Sequence, residues 1–452
     1  MDQKTYEVII LGGGISGLTS SYYLGDVPHL LLESGSRFGG AILSLKKNEG
    51  ILECGPNFLL LRKTEAKEII CELGLDKDLL APPKESRRRF VLLPSGLIAL
   101  TPLTLFKHLL LKSPLTNWKL MVGGTSLKRG KRFESVFDFF TRKFSPYFAV
   151  NFARPMVSGI FGGDARRILV SLAFPLFAGF DKKYNSFWPG TFFHFLKKKK
   201  HSLPSGLYSF KDGLEHLIST LKDKSQGDLR LNHQVQALSY ENGLWKVKTS
   251  QGVFFSKKLI SSLPAYEMAK LFPENEKLKT LFLAINYPWL SVMFLSYKTE
   301  QIKNNPQGFG FLNSQIEKKT PLGCFYTSSM FPNRFKEGET LFTIFIGGTL
   351  RQDLKSSSQE ELALDVHREL DLLFKIEGKP LWSHLHSWEK AIAQYEKPVA
   401  EFREFFEKNK LFDGSLYLTT NFMAGVSVPD CMINAKNIAL NIKSGGSYGS
   451  QV

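Results

Sequence analysis

Residues 7–33 read EVIILGGGISGLTSSYYLGDVPHLLLE, and this stretch decides the fold. Its β-branched and leucine residues form a short apolar run with the look of a fully buried strand, which stops at Gly12, Gly14 and Gly17 in the spacing GxGxxG. A helix, ISGLTSSYYLG, follows at once, and a second apolar run, HLLLE, closes the unit on Glu33. Each glycine has its own physical task. Gly12 permits the tight turn, Gly14 lets the backbone approach a pyrophosphate, and Gly17 lets the helix pack closely on the strand. The unpaired N–H groups of Gly13, Gly14, Ile15 and Ser16, at the positive end of the helix, then receive the anion.

Glu33 stands where an acidic side chain accepts hydrogen bonds from the hydroxyls of an adenosine ribose. Such charge-assisted bonds contribute about 1.5–3 kcal/mol, and the same carboxylate repels a 2′-phosphate. The unit is therefore a Rossmann-type βαβ site for a non-phosphorylated dinucleotide.

Length and composition bound the rest. At 452 residues the chain exceeds what a single core supports, so two or three lobes are expected. Hydrophobic residues at 43% and charged residues at 22% are those of a soluble globular protein, and no apolar run is long enough to span a bilayer. The N-terminal apolar run flows into a glycine turn without a cleavage site, so it reads as a strand and not as a signal peptide. Cys54, Cys71, Cys324 and Cys431 are isolated from one another and from histidines at ligand spacing, which points to a reducing compartment and to no structural metal. The net charge of +17 suits anionic lipid, nucleic acid or an anionic substrate. No basic run interleaved with stacking aromatics accompanies it, so nucleic acid is not expected as a partner.

Further along, LRLNHQVQALSYENGLWKVKTSQGVFFSKKLISSLPA alternates apolar and polar positions and reads as a β-meander returning to the first lobe. Between 84 and 205 the composition shifts toward Lys, Arg, Phe and Leu, with helical periodicity broken at Pro102, Pro114, Pro146 and Pro155. There LTLFKHLLLKSPLTNWKLMVGG mixes apolar and basic residues as a membrane-surface helix does, and LKKKKH at 196–201 suits anionic lipid. A buried helix face and a solvated loop are the bland readings of the same two segments. Strands such as WLSVMFLSY and LFTIFIGG, with one helix near 358–376, suggest a sheet carrying a substrate cavity between 265 and 400.

Several of these stretches resemble known flavoproteins. Ser34, Arg37, Phe38, Gly39, Gly40 and Ala41 resemble the second glycine motif of the glutathione-reductase-like group, and Glu53, Gly55, Pro56, Asn57 and Phe58 resemble the segment that passes the flavin in its amine oxidase and protoporphyrinogen oxidase branch. This resemblance implies FAD in place of NAD. Val235 occupies the position of a meander valine whose backbone contacts adenine. Four further stretches resemble the oxygen-dependent protoporphyrinogen and coproporphyrinogen oxidases in order: ARPMVSGIFGGDARRILVSLAFP (153–175), QGFGFLNSQIE with PLGCFYTSSMFPNRF (307–335), WEKAIAQY (388–395) and LYLTTNFMAGVSVPDC (416–431). The last two bring Trp388 and then Val426, Ser427 and Val428 to the flavin. Thr420 departs from the glycine usual before the asparagine of that segment, which puts the local backbone path in question.

The resemblance implies an α/β protein, α+β overall. Residues 1–83, 206–264 and 401–452 would form the FAD-binding domain, 84–205 a mainly helical lobe facing substrate or membrane, and 265–400 a sheet-based substrate domain. It implies an FAD oxidase of heme biosynthesis that takes six hydrogens from protoporphyrinogen IX or coproporphyrinogen III and passes them to O2 as peroxide. Arg89 matches a propionate-binding arginine, with Arg87 and Arg88 as neighbours able to substitute. Phe309 and Leu312 match positions that sandwich a pyrrole, Phe345 another cavity-lining position, and Gly159 a backbone position at the reactive edge. No residue stands out as an essential acid or base. A cytoplasmic location is expected, with room for peripheral attachment to the inner face of the plasma membrane, a homodimer, or hand-off of the porphyrin to the next enzyme of the pathway. The alternatives are a flavin amine oxidase and a basic membrane-surface adaptor without activity.

Overall fold

A computed structural model describes residues 5–48, 50–122, 124–126, 129–186 and 203–446, so the lysine run at 196–201 lies outside the described residues. The chain builds two large sheets with helices packed around them. The first sheet runs Asp228–Arg230, His29–Leu32, Thr5–Leu11, Gly252–Ser261, Leu244–Thr249, Val235–Glu241, with Leu416–Leu418 also paired to Gly252–Ser261. Its central strands are parallel, and the meander 235–256 extends it antiparallel. Successive side chains of a strand point to opposite faces. Val8 and Ile10 accordingly join Leu18 of the first helix and Met432 of the last, whereas Ile9 and Leu11 join Leu259, Leu416 and Phe422. Both faces of Thr5–Leu11 are covered, which is why its sequence is a continuous apolar run without alternation.

The second sheet runs Trp382–Trp388, Leu290–Lys298, Glu339–Gly347, Pro321–Tyr326, Gly310–Asn313, Arg89–Leu93, Gly96–Ala99. One face is covered by the helix Gln359–Phe374, whose Leu362, Val366, Leu370 and Phe374 pack on Met293, Tyr297, Phe342 and Ile344. Ser358 and Glu361 close a capping box at its start. The other face points back toward the first sheet.

The stretch 84–205 opens as a β-hairpin, Arg89–Leu93 with Gly96–Ala99, which joins the second sheet through Gly310–Asn313. Only beyond it does the helical character begin. Pro102, Pro114 and Pro146 head the helices Pro102–Lys112, Pro114–Met121 and Pro146–Phe148, whereas Pro155 lies inside a continuous helical run, just after the π turn Ala149–Ala153. A first-turn proline lacks only an N–H that has no helical partner. Among the described residues no helix is long and apolar enough to cross a membrane, and all four cysteines are free thiols.

Candidate functional site

The first site grows from the turn after Thr5–Leu11. Gly12 holds φ +95°, open to glycine at little cost, and its N–H donates to the Leu32 carbonyl at 2.8 Å. A Cβ on Gly17 would collide with the Gly12 carbonyl oxygen, so strand and helix meet here without room for a methyl group. Gly14 caps the helix Ile15–Leu24 and bridges to Gly39, and a Cβ on Gly40 would come within 3.2 Å of the Gly14 Cα. Gly39 and Gly40 take φ +115° and +56°. Two bare glycine turns thus lie side by side at a helix N-terminus; the Gly13 N–H, expected to face the anion, is instead bonded to the Glu33 carboxylate.

Glu33 anchors this cradle. Its Oε2 accepts the Gly13 N–H at 2.7 Å, and Oε1 accepts from the Gly35 N–H at 2.8 Å and the Ser34 hydroxyl at 3.2 Å. A carboxylate offers about four acceptor sites, so these three donors leave capacity for a ribose hydroxyl. The Glu33 carbonyl accepts the His233 N–H at 2.8 Å, and the Gly35 carbonyl the Asn232 N–H at 3.0 Å, which brings the head of Val235–Glu241, with half-buried Val235, beside the acid. Arg37 has a role that residue type alone did not show. Its guanidinium donates to the carbonyls of Phe38, Ile42 and Gly40 and lies 3.7 Å from Glu215, so it fastens the second glycine turn.

A second helix N-terminus converges on the same place. Ser427 caps Val428–Lys443 by accepting the Asp430 N–H, with Val426 and Gly425 leading in; the Cys431 thiol donates to the Gly425 carbonyl at 3.4 Å, and Met432 packs with Leu18 of the first helix. Burial pushes the Cys431 thiol up to about 12, so it stays neutral. Thr420 has φ −75°, an ordinary backbone conformation, and its carbonyl accepts the Met423 and Ala424 N–H groups. No glycine is needed there, and the doubt raised by that departure is removed.

From Gly40 the chain leads through Ala41 to the next segment, where a Cβ on Gly55 would strike the Ala41 carbonyl and Asn57 donates to the Gly55 carbonyl at 3.0 Å. Trp388 Nε1 donates to the Cys54 carbonyl at 2.7 Å, joining this segment, with Pro56 in it, to the edge of the second sheet. Burial pushes the Cys54 thiol up to about 12, so no thiolate stands here at neutral pH.

The second part of the site is the opposite face of the second sheet, where Leu290 and Val292 pack on Leu52 and Cys54, and Val91 and Leu93 on Leu109 and Phe152. Register fixes which side chains share it: Leu290 pairs with Trp388, Val292 with Phe345, Gly323 with both Phe345 and Leu312, and Gly310 with both Phe325 and Arg89. Residues two apart point the same way, so Trp388, Phe345, Phe325, Leu312 and Arg89 lie on one face. Five strand spacings of about 4.8 Å separate Trp388 from Arg89, roughly 24 Å across. Phe325 meets Phe345 at 5.0 Å and Phe309 at 5.0 Å between ring centroids, and the Arg89 guanidinium lies 5.1 Å over the Phe309 ring. Phe58, expected beside the cofactor, touches both Phe309 and Phe325 at 5.4 Å and so joins the flavin-side segment to this cluster. Gly159, on Arg154–Phe161, faces Leu312, where a Cβ would overlap the leucine methyl. Burial lowers the Arg89 pKa, and the nearby charge of Arg62 lowers it further.

Two further pairs were not visible in the sequence. Arg334 and Glu53 form an ion pair at 2.9 Å, almost wholly buried, between the flavin-side segment and the second sheet. Arg154 pairs with Glu317, clamping the Gly159 helix to the loop beyond Leu312. Neither has a local motif, because the partners lie far apart in the chain.

Two glycine turns, two helix N-termini and a ribose-type acid define an FAD-binding flavoprotein. The chain belongs to the family of flavin containing amine oxidoreductases, which it matches over residues 15–442. It is 27% identical to protoporphyrinogen oxidase 2, chloroplastic/mitochondrial, of Arabidopsis thaliana, over 93% of this chain and 90% of that one. It is 24% identical to the coproporphyrinogen III oxidase of Bacillus subtilis (strain 168), over 96% and 97%. A crystal structure provisionally named protoporphyrinogen oxidase, from Exiguobacterium sp. 255-15, superposes with a TM-score of 0.80 at 20% identity over 98% of this chain and 100% of that one, a shared fold.

Proposed function

We propose that this chain is an FAD-dependent oxidase of heme biosynthesis acting on protoporphyrinogen IX or coproporphyrinogen III, with O2 as acceptor and peroxide as by-product. FAD, when bound, would be held by the two glycine turns, Glu33 and the helix N-termini at Ile15 and Val428, and would supply the hydride-accepting and oxygen-reducing chemistry. The protein's share is position. Phe309, Phe325, Phe345 and Leu312 offer an apolar sheet face to a flat macrocycle, Gly159 lets its helix close on Leu312 at one edge, and Trp388 and Gly55 line the flavin side.

The observation that carries the reading is Arg89. Its guanidinium sits at the far end of this apolar face, and among the described residues no carboxylate pairs with it. This exposed guanidinium at the rim of the apolar face suits a bidentate carboxylate, and a porphyrinogen propionate supplies one. Arg89→Ala is expected to raise KM about tenfold, the loss of one charge-assisted bond, with kcat and flavin absorbance unchanged. Loss of flavin instead overturns this role. The reading as a whole is tested by offering each porphyrinogen separately under air and following porphyrin fluorescence. No gain with either refutes it.

Peripheral membrane attachment is proposed on a separate observation. Leu103, Leu111, Trp118 and Met121 are exposed on the helices Pro102–Lys112 and Pro114–Met121, with Leu111 at 82% and Met121 at 71%, and Lys107 and Lys112 stand beside them. Large apolar side chains among exposed lysines suit an anionic bilayer surface. The holoenzyme is expected to sediment with vesicles containing phosphatidylglycerol. Leu111→Asp with Met121→Asp should weaken that partition more than tenfold, since each side chain contributes about 1.5–3 kcal/mol when buried. Equal sedimentation of wild type and variant removes the proposal.

A further inference from the structure

One guanidinium near the substrate face has no role so far. Arg62 directly follows the strand Leu59–Leu61, in which Leu59 and Leu61 are buried against the core of the dinucleotide domain. The alternation of a strand therefore turns Phe58, Leu60 and Arg62 to the other side. Phe58 identifies that side, since its ring lies on Phe309 and Phe325. Phe58, half-buried Leu60 and exposed Arg62 form a row that starts in the aromatic cluster and runs outward to a charge. Arg89 reaches the same cluster from the second sheet, over Phe309. The two guanidiniums are near enough for the Arg62 charge to act on Arg89. Behind them, Arg87 acts on Tyr208, the residue paired with Leu59.

Like charges brought together disfavour their own charged forms unless an anion lies between them. Among the described residues no carboxylate pairs with Arg62 or Arg89, although 24 ion pairs are formed elsewhere, including one for Arg37, Arg154 and Arg334. Both guanidiniums are exposed, so a carboxylate from outside the chain can reach them. An apolar floor with two guanidiniums at one end matches a flat apolar molecule with two carboxylates at one edge.

We infer that Arg62 is a second carboxylate-binding residue, so that Arg62 and Arg89 each hold one of two neighbouring propionates of the tetrapyrrole. This rests on the porphyrinogen reading and sharpens it: the site selects a diacid edge, and a substrate with one carboxylate at that edge binds less well. Arg62 positions the macrocycle and does not touch the reacting carbon.

The test compares wild-type holoenzyme with Arg62→Ala and Arg62→Lys, using protoporphyrinogen, its dimethyl ester, and equilibrium binding of protoporphyrin followed by fluorescence quenching. Arg62→Ala is expected to raise the KM for the diacid and the Kd for protoporphyrin about tenfold, as for a lost charge-assisted contact, with kcat and flavin absorbance unchanged. The dimethyl ester should bind wild type and variant alike, and Arg62→Lys should recover part of the loss because it restores charge without the fork. Diacid constants within twofold of wild type, or an equal loss for the ester, overturn the inference. Should the alanine variant lose its FAD, Arg62→Gln is held to the same outcomes. Failure of the wild type to oxidise either porphyrinogen strikes the functional reading instead, and the protoporphyrin-binding comparison still decides Arg62.

Discussion

Replacing Gly17 by alanine is expected to strip the protein of FAD, weakening its retention by about 100-fold, near 2.7 kcal/mol. The added Cβ would overlap the Gly12 carbonyl oxygen, and that oxygen belongs to a backbone already fixed at φ +95° and bonded to the Ser262 hydroxyl at 3.1 Å. A flexible side chain would swing aside, but this turn cannot. The helix Ile15–Leu24 must move off the strand, and its N–H groups leave the place where the pyrophosphate binds. Gly179→Ala is the matched control. Gly179 also lies within a helix, Pro175–Tyr184, but a Cβ there meets open space. That variant should keep its FAD and gain about 0.5–1 kcal/mol of stability from reduced chain entropy. Flavin absorbance after gel filtration reads both. A Gly17→Ala protein as yellow as Gly179→Ala would mean that close strand–helix packing does not hold the cofactor.

That turn was legible in the sequence because its constraints are local. A positive φ, a close approach and a helix start all fall within six residues, so spacing carries them. The strand Thr5–Leu11 was legible for a related reason, since burial on both faces writes a continuous apolar run. The helix Gln359–Phe374 followed from its apolar periodicity. Val426–Val428 was different: no local pattern distinguishes this short lead-in to a helix, and its assignment to the cofactor rests on the resemblance alone.

What stayed hidden depends on pairing across the chain. RRRFVLLPSG is too short and too basic to announce a strand, and its partner Gly310–Asn313 lies more than 200 residues on. Once that register is known, the parity of Arg89, Leu312, Phe325, Phe345 and Trp388 follows directly, and a set of separate candidates becomes one face. Arg62 stands just before the helix Thr64–Glu72, and nothing local distinguishes it from a solvated residue. Arg37 illustrates the converse. Its place in the glycine motif was plain, but residue type could not tell a phosphate ligand from a clasp on three carbonyls.

Arg334→Met is expected to destabilise the holoenzyme by about 3–5 kcal/mol, as when one member of a buried ion pair is removed. Glu53 ends the strand Gly50–Glu53 just before the Gly55–Phe58 segment, and its carboxylate is held by three donors. It accepts from Arg334 at 2.9 Å, the Leu214 N–H at 2.9 Å and the Ser44 hydroxyl at 2.7 Å, while Arg334 also donates to Ser209 at 2.9 Å. Burial pushes the Glu53 carboxyl up, and the Arg334 charge is the largest influence opposing it. Without Arg334 the carboxyl is left in a site only 4% exposed, and it binds a proton more tightly in the folded state than in the unfolded one. The native variant then holds more protons than its unfolded chain, so its stability falls as pH rises. The deficit should be small below the unfolded carboxyl pKa of about 4.3 and should reach its full size near neutrality. Glu53→Gln combined with Arg334→Met leaves no buried charge and should recover most of the loss. Urea titrations of wild type and the two variants against pH measure this. A single variant within about 1 kcal/mol of wild type at pH 7, well short of a broken buried pair, or a deficit that does not grow with pH, would show that the pair contributes little. If the loss appears as expected, the same variants should also alter the visible circular dichroism of the flavin, because the strand that Glu53 terminates leads straight to Cys54 and Gly55.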